Sequence, residues 1–373
     1  MIIMALDHVR DFMNHDAMLF APDDLTKTNA LFFFTRWITH FCAPVFALTA
    51  GMGAGFWLLR PGRTKPELSR FLLTRGLWLI FLEVTVMRFG YYFTMDAKYP
   101  VLMLVFWSLG AGMVALAGLI YVPARVLAVL SLLTICLHNL LDPLQAKQFG
   151  ALAPLWTILH ERGAIVLPGV VMVIGYPLLA WIAVMAAGFC FAPHFHRKPA
   201  FRIGLICTLA FVLIRALNMY GDPAPWTARH SPLFTVLSFL NCRKYPPSLD
   251  YLLMTLGPAL IFLGWLDSRK WSDNNPLIVF GRVPLFYFVV HFYLIHLTMN
   301  LMAWARYGNS ALANFFVPPP ILGGPAELFP PDFGWPLPVT YLVWISLVVA
   351  LYPLCRWWGK VKATGRYWWL SYL

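Results

Sequence analysis

Four ionisable side chains stand close together near the start of the chain, in residues 6–12, which read LDHVRDF. Residues three or four positions apart are neighbours on a helix, so Asp7 and Asp11 share a face and Asp11 adjoins His8. A carboxylate one turn from an imidazole fixes its tautomer and raises its basicity, which suits a general base. The segment therefore predicts His8 as a catalytic residue, with Asp7 or Asp11 as its partner and Arg10 as a binding residue.

A structural interpretation of the same segment stays open. It treats LDHVRDF as a charged helix end that leaves the bilayer at the interface, with Asp7 paired to Arg10. Against it, charge is expensive at membrane depth, and the four ionisable groups directly follow the apolar residues 1–6. Because ionisable groups at this depth are costly, their presence favours a functional site over a purely structural role.

A second pair of polar side chains lies inside an apolar segment, FFFTRWITHFCAPVF, where Arg36 and His40 stand four residues apart. An arginine and a neutral histidine on one face of a bundle helix suit an anionic group, so both are predicted to bind substrate. The alternative is an arginine that snorkels to the membrane surface.

A third group of candidates follows Asn275-Pro276. Pro284 within a helix frees a carbonyl and kinks the chain, which predicts a cavity beside Arg282 and makes that arginine a candidate binding residue. His291 and His296 point roughly 140° apart at about 100° per residue, so they are not expected to serve one site. His291, nearer to mid-membrane, is the candidate catalytic residue, and packing is its alternative role.

The elements that position these residues follow from the composition. Hydrophobic residues make up 60% of the 373 residues and charged residues only 12%, with a mean hydropathy of +0.69. Soluble domains carry about a quarter charged residues. The apolar segments run to about 20 residues, which indicates spanning helices rather than the short alternating strands of a barrel. We expect an all-α polytopic bundle in one domain covering residues 1–373.

The hydropathy pattern predicts about ten spans. They are residues 1–14, 31–59, 71–95, 100–121, 124–141, 169–191, 201–220, 249–266, 277–304 and 337–358. The first is expected to be a truncated helix, because the residues before Asp7 rise only about 9 Å against a hydrocarbon core of roughly 30 Å. Residues 14–30, 142–168, 221–248 and 305–336 are expected to form long outer loops, the last packed as a lid on the outer face.

The net charge of +12 comes mainly from short loops between spans, so it indicates membrane topology and not a nucleic-acid partner. If the first helix runs outward, most lysines and arginines lie on the inner side, which predicts a cytoplasmic C-terminus. The six cysteines form no CxxC pair or Cys/His ligand spacing, so we expect neither a metal site nor a disulfide framework.

Four stretches in order along nearly the whole chain carry a family resemblance: MALDHVRDF, RWITHFCAPVFALTAGMGAGF, KYPPSLDYLLMTLGPAL and NPLIVFGRVPLFYFVVHFYLIHL. They resemble bacterial membrane proteins related to heparan-alpha-glucosaminide N-acetyltransferase, within the YeiB-like transmembrane acyltransferase superfamily. The resemblance implies a bundle of ten or eleven helices. It also implies transfer of an acyl group from a cytoplasmic donor, acetyl-CoA in the lysosomal enzyme, to a sugar amine or hydroxyl on the opposite side.

The resemblance also bears on individual residues. Asp7 and His8 occupy the motif typical of the bacterial branch, and His291 matches the histidine of the ninth-span motif. His15 lies in the loop that carries the histidine responsible for transfer in the lysosomal enzyme, but the surrounding sequence does not match. The chain also departs from the family in lacking an Arg-Gly pair well before the first motif.

These observations predict a membrane-embedded acyltransferase, with acetyl-CoA or another acyl-CoA as co-substrate and a sugar or glycan as acceptor. His8 would act as general base or acyl carrier, and His291 would polarise the acyl carbonyl. The expected location is a bacterial inner membrane, among membrane lipids, with a homo-oligomer left open. The alternatives are a transporter or flippase of a glycan or lipid intermediate, and a structural partner in an envelope complex.

Overall fold

Helices account for 70% of the chain and strands for 5% in the computed structural model of the protein. The structure describes residues 1–322, 324–366 and 370. A helix satisfies its backbone polar groups within one segment, which is why apolar sequence of this length adopts it. The prediction of a mostly helical protein is confirmed.

Sixteen α-helices occur in residues 1–322, 324–366 and 370. In chain order they are α1 (Ile2–Met13), α2 (His15–Leu19), α3 (Ala30–Trp37), α4 (Cys42–Leu58), α5 (Lys65–Leu82), α6 (Arg88–Tyr92), α7 (Val105–Leu119), α8 (Ala124–Leu137), α9 (Ala153–Leu159), α10 (Leu178–Phe191), α11 (Arg197–Leu217), α12 (Pro232–Leu240), α13 (Leu249–Asp267), α14 (Pro276–Arg282), α15 (Pro284–Tyr307) and α16 (Leu337–Ala363). A 3-10 segment, Ile38–Phe41, joins α3 to α4, and a π-helical turn, Glu83–Met87, joins α5 to α6.

Six helical segments within the described part of the chain are long and apolar enough to cross a membrane. They are Ala30–Leu58, Ala124–Leu141, Arg197–Leu217, Leu249–Asp267, Pro284–Ala311 and Leu337–Ala363. Two further apolar helices, Val105–Leu119 and Leu178–His194, are shorter. These segments indicate a membrane protein, whereas the predicted count of ten spans is not confirmed.

Several helices begin at a residue whose side chain satisfies a free backbone N–H. Thr64 and Glu67 form a reciprocal capping box at the start of α5. Asn29, Ser248 and Asn275 accept hydrogen bonds from the first turns of α3, α13 and α14. Small polar residues therefore set the starts of these four helices, whereas α7, α8 and α10 begin without a side-chain cap.

The chain divides into two units, each built from separate segments. The first unit contains residues 1–42, 85–96 and 270–373. In it α1, a helix of twelve residues, packs against α3 and against the longer helices α15 and α16.

The predicted kink at Pro284 is a break between two helices instead. The first, α14, ends at Arg282, Val283 has φ −130° and ψ 49°, and Pro284 is the first residue of α15. Proline suits that position because the first N–H of a helix needs no partner within the helix.

The second unit contains residues 43–84 and 97–269. In it α4 and α10 approach so closely that a Cβ at Gly51 would collide with the carbonyl oxygen of Met185. Gly188 of α10 meets the carbonyl of Leu48 in the same way. Within residues 50–55, Gly51 and Gly55 therefore serve close helix packing, the role that such small residues typically have, whereas Gly53 faces open space.

A small sheet in the second unit departs from the all-α prediction. Its strands are β1 (Val101–Met103), β2 (Gly163–Leu167) and β3 (Val170–Ile174), in the order β1-β3-β2. β2 and β3 pair antiparallel through a two-residue turn at Pro168 and Gly169, where Gly169 has φ +77°. β-Branched residues around a Pro-Gly turn favour a hairpin over the start of a helix. The predicted span 169–191 accordingly becomes β3 followed by α10.

The predicted outer loops contain ordered elements. Residues 142–168 include α9 and β2, and the His160 Nε2–H donates to Asp142 over 2.9 Å. Burial opposes ionisation of Asp142, but hydrogen bonds from His160 and Asn139 outweigh it and lower the pKa of Asp142. Residues 221–248 include α12, and the buried Arg215 donates to backbone carbonyls of that segment.

The close approach of α4 and α10 generates a prediction. Gly51→Ala should lower the free energy of unfolding by about 1–3 kcal/mol, because the added methyl group forces the two helices apart. Gly53→Ala is the matched control on the same helix, since a Cβ there meets nothing within 4 Å. Thermal unfolding in detergent measures both variants, and equal midpoints for the two would contradict the packing.

Candidate functional site

The buried helix α1 carries the central candidates, all within the first unit. The apolar residues that alternate with the charged side chains, Leu6, Val9 and Phe12, are fully or almost fully buried. At the end of α1, Asn14 accepts from the backbone N–H of Ala17 and donates to the carbonyl of Trp335 and to Thr340. Both the side faces and the end of α1 are therefore held by packing and hydrogen bonds.

Arg10 lies at the centre of a charged cluster on α1. Its guanidinium has no exposed surface, and its Nη2 donates to Asp7 over 2.5 Å and to Asp11 over 2.7 Å. Burying a charge costs several kcal/mol unless it is paired and hydrogen-bonded, and two carboxylates provide both here. The pairing of Asp7 with Arg10, which the structural interpretation of the segment required, is confirmed.

Two threonines connect this cluster to the next segment of the first unit. The Thr39 hydroxyl donates to Asp7 over 2.8 Å, and Arg10 Nη1 lies 3.5 Å from the hydroxyl of Thr35. Sequence reasoning missed both residues. The available signal was their four-residue spacing beside Arg36 and His40 in an otherwise apolar stretch.

His8 faces a different neighbour, α15. Its ring centroid lies 5.3 Å from that of His291, with an angle of 44° between the ring planes. Phe292 and Phe288 contact the His8 ring edge-on, at 4.9 and 5.7 Å. The structure thus brings together two of the predicted catalytic residues, half-buried His8 and fully buried His291, within an aromatic surround.

The hydrogen bond of His291 defines which ring nitrogen is basic. His291 Nδ1 lies 2.7 Å from the backbone carbonyl of Tyr287, and a carbonyl can only accept. The neutral ring therefore carries its hydrogen on Nδ1 and its lone pair on Nε2. Nε2 is buried, and no hydrogen-bond partner reaches it among the residues that the structure describes.

Tyr287 is a third residue that sequence reasoning missed. Its ring stacks on His291, with centroids 4.8 Å apart and planes 12° apart, and it is fully buried. Tyr287 stands four residues before His291 on α15, so helical spacing was the signal for this contact.

His296 belongs to different surroundings. Its ring stacks on Phe93 with centroids 3.8 Å apart, and its Nδ1 donates to the carbonyl of Gly90 over 2.8 Å. Phe12 contacts the ring from α1. His291 and His296 thus have separate sets of neighbours, in line with their angular separation on the helix.

The predicted binding residues Arg36, His40 and Arg282 differ in their burial and in their partners. Arg36 is half-buried and forms an ion pair with Asp23, with 3.4 Å between Nε and Oδ2. His40 is buried in the 3-10 segment after α3. Arg282 is about half exposed and pairs with Asp273 over 2.5 Å, outside the buried cluster.

The end of the predicted lid, residues 305–336, contacts the residues that follow α1. His15 Nδ1 donates to the carbonyl of Phe333 over 2.9 Å, and the backbones of His15 and Trp335 are hydrogen-bonded. Arg306 binds Asp332 and the carbonyl of Gly334. This places His15 in a structural contact.

Within residues 1–322, 324–366 and 370, no three or more histidine, cysteine, aspartate or glutamate side chains are grouped to hold a metal ion. The two imidazoles can carry out proton transfer and covalent catalysis, and they lie beside the ion cluster of Arg10, Asp7 and Asp11.

Comparison with known proteins adds no relative. No protein-family model matches the chain, and no curated protein or solved structure matches it. The family resemblance drawn from the four sequence stretches therefore stays a prediction.

Proposed function

We propose that this protein is a membrane acyltransferase that moves an acyl group, acetyl in the simplest case, from acyl-CoA to a sugar or glycan acceptor. The observation that carries the proposal is the His8–His291 ring pair, in which the lone pair of His291 Nε2 is buried and available. Imidazole is the side chain whose unperturbed pKa best suits proton transfer near neutral pH.

The reaction balances with one imidazole as the proton carrier. An imidazole nitrogen of the pair takes the proton of the acceptor hydroxyl or amine while the acceptor atom attacks the thioester carbonyl carbon. The carbon–sulfur bond then breaks, and the CoA thiolate leaves with the proton from the imidazolium. The products are the acylated acceptor and free CoA, and no other reactant is needed.

A covalent variant uses the same residues. The His8 imidazole attacks the thioester carbonyl carbon, the carbon–sulfur bond breaks, and CoA leaves as the thiolate. The acceptor then takes the acyl group from the His8 nitrogen while His291 Nε2 takes the acceptor proton, which is passed to the thiolate. Because the lone pair of neutral His291 is on Nε2, this nitrogen accepts a proton rather than donating one. We therefore assign His291 to proton acceptance, and its predicted role in polarising the acyl carbonyl would first require protonation.

The ion cluster on α1 has a supporting role in this proposal. Arg10 pairs with Asp7 and Asp11 within α1, and Thr39 and Thr35 connect this cluster to the next segment, which helps to hold α1 in the rotation that presents His8 to α15. Orientation of the His8 ring by Asp7 or Asp11, and substrate contacts by Arg10, Arg36, His40 and Arg282, remain predictions.

The proposal includes a membrane setting. The excess of lysine and arginine in the loops on one side supports a cytoplasmic C-terminus and therefore an acceptor on the opposite side. A bacterial inner membrane is the proposed location, with acyl-CoA supplied from the cytoplasm.

A second candidate is a transporter or flippase for a glycan or lipid intermediate. The observation that favours it is the helix break at Val283 between α14 and α15, since discontinuous helices line the binding sites of many transporters. Acceptor movement across vesicle membranes without CoA release would select this candidate over the enzyme.

The proposal predicts that His8→Ala lowers the rate of acyl transfer by about 10²- to 10⁴-fold, because the variant lacks the ring that handles the proton or acyl group. The measurement is free CoA released from acetyl-CoA by the purified protein in the presence of a sugar acceptor. His230→Ala, which removes an exposed histidine of the second unit, is the control and should keep the wild-type rate. Unchanged transfer by His8→Ala would contradict the assignment.

His291→Phe and His296→Phe form a matched pair on α15. Both keep an aromatic ring in the core, but only His291→Phe removes the lone pair next to His8. We expect at least a ~100-fold loss of transfer for His291→Phe and a rate within a few-fold of wild type for His296→Phe. Gel filtration checks that both variants remain monodisperse. Equal losses of transfer in His291→Phe and His296→Phe would mean that His291 acts through packing alone.

A further inference from the structure

A groove in the second unit lies where the start of α11 meets the end of α13. Its cavity measures about 340 Å³, within the range of about 300–1,000 Å³ that is usual for small-molecule sites. Apolar side chains dominate its lining, which comprises Phe201, Pro258, Ile261, Phe262 and Trp265 with Arg197 at the end.

Close packing of the two helices creates this groove. A Cβ at Gly204 would come within 2.7 Å of the Gly257 carbonyl, and a Cβ at Gly264 would lie 3.0 Å from the carbonyl of Arg197. The antiparallel helices therefore touch backbone to backbone, and the large side chains on either side of the contact form the walls. Phe201 and Phe262 are each about half exposed, on helices long enough to span a membrane.

Basic side chains surround the same end of the groove. Arg197, Lys198 and Arg202 occupy the first turns of α11, and Arg269 follows α13; all four are exposed. The Arg269 guanidinium lies over the Trp265 ring, 5.2 Å from its centroid, which fixes one of these charges beside the groove. The start of α11 adds the positive end of a helix dipole.

We propose that this groove binds an anionic phospholipid, with an acyl chain along the aromatic walls and the phosphate at Arg197. Basic pockets between spanning helices recognise acidic lipid headgroups in this way. The apolar walls favour a lipid over a soluble phosphate compound, since in a membrane they face hydrocarbon. The inference is independent of the proposed acyl transfer and concerns residues of the second unit only.

The test is native mass spectrometry of the full chain, released from detergent after equilibration with phosphatidylglycerol or phosphatidylcholine. The wild type should retain phosphatidylglycerol preferentially. Arg197→Gln should weaken that binding about fivefold, which corresponds to the ~1 kcal/mol contributed by one basic residue near an acidic lipid surface. Its binding of phosphatidylcholine should not change.

Arg125→Gln is the matched control, because it removes one exposed charge from the first turn of α8 and lies outside the groove lining. It should leave both lipids bound as in the wild type. Phe262→Ala, which removes one apolar wall, should weaken binding of phosphatidylglycerol while Arg197 is present. Thermal unfolding of each variant checks that the fold is retained.

Three results would overturn the proposal. Equal losses for Arg197→Gln and Arg125→Gln would mean diffuse attraction of acidic lipid to a basic surface, and equal retention of both lipids by the wild type would mean no headgroup recognition. Inorganic phosphate tests whether the basic residues bind a free phosphate group rather than a lipid headgroup. Displacement of phosphatidylglycerol by phosphate at millimolar concentration would show a phosphate site and would contradict the lipid assignment.

Discussion

The buried positive charge of Arg10 constrains the first helix of the first unit. A guanidinium without exposed surface must have its charge and its donors matched, and Asp7 and Asp11 match them on the same helix. The pairing lies within α1, so the rotation of α1 about its axis is set by the contacts of the cluster with Thr39 and Thr35 and by the burial of Val9 and Phe12. Because His8 follows Asp7 by about 100°, the same rotation presents it to α15.

On α15, helical spacing completes the site. The carbonyl of Tyr287 accepts from His291 Nδ1, and the Tyr287 ring stacks on the imidazole, so the orientation and the tautomer of His291 are fixed by its own helix. Phe288 and Phe292 enclose the histidine pair and keep its surroundings apolar. The acyl-transfer proposal rests on this combination of an oriented imidazole base and a second imidazole in contact with it.

Composition and local pattern were sufficient for the class of fold and for part of the site. Few charges and long apolar segments allow little besides membrane helices, and the spacing of Asp7 and Arg10 predicts their ion pair because both stand on one helix. The contact of His8 with His291 is between residues 283 positions apart in the chain, and no local pattern encodes it.

The hairpin of β2 and β3 was missed because a short apolar run around Pro-Gly suits either a strand or the start of a span. The break at Val283 was missed because proline can kink a helix or begin one.

The most direct test of acyl transfer by this protein is the stoichiometry of the reaction with purified wild-type protein. The protein is incubated with isotopically labelled acetyl-CoA and glucosamine-containing glycans, and free CoA and labelled acceptor are quantified together by mass spectrometry. We expect one labelled acetyl group on the acceptor for each CoA released. If no labelled acceptor forms and the acetyl-CoA remains intact, the proposed acyl transfer is contradicted.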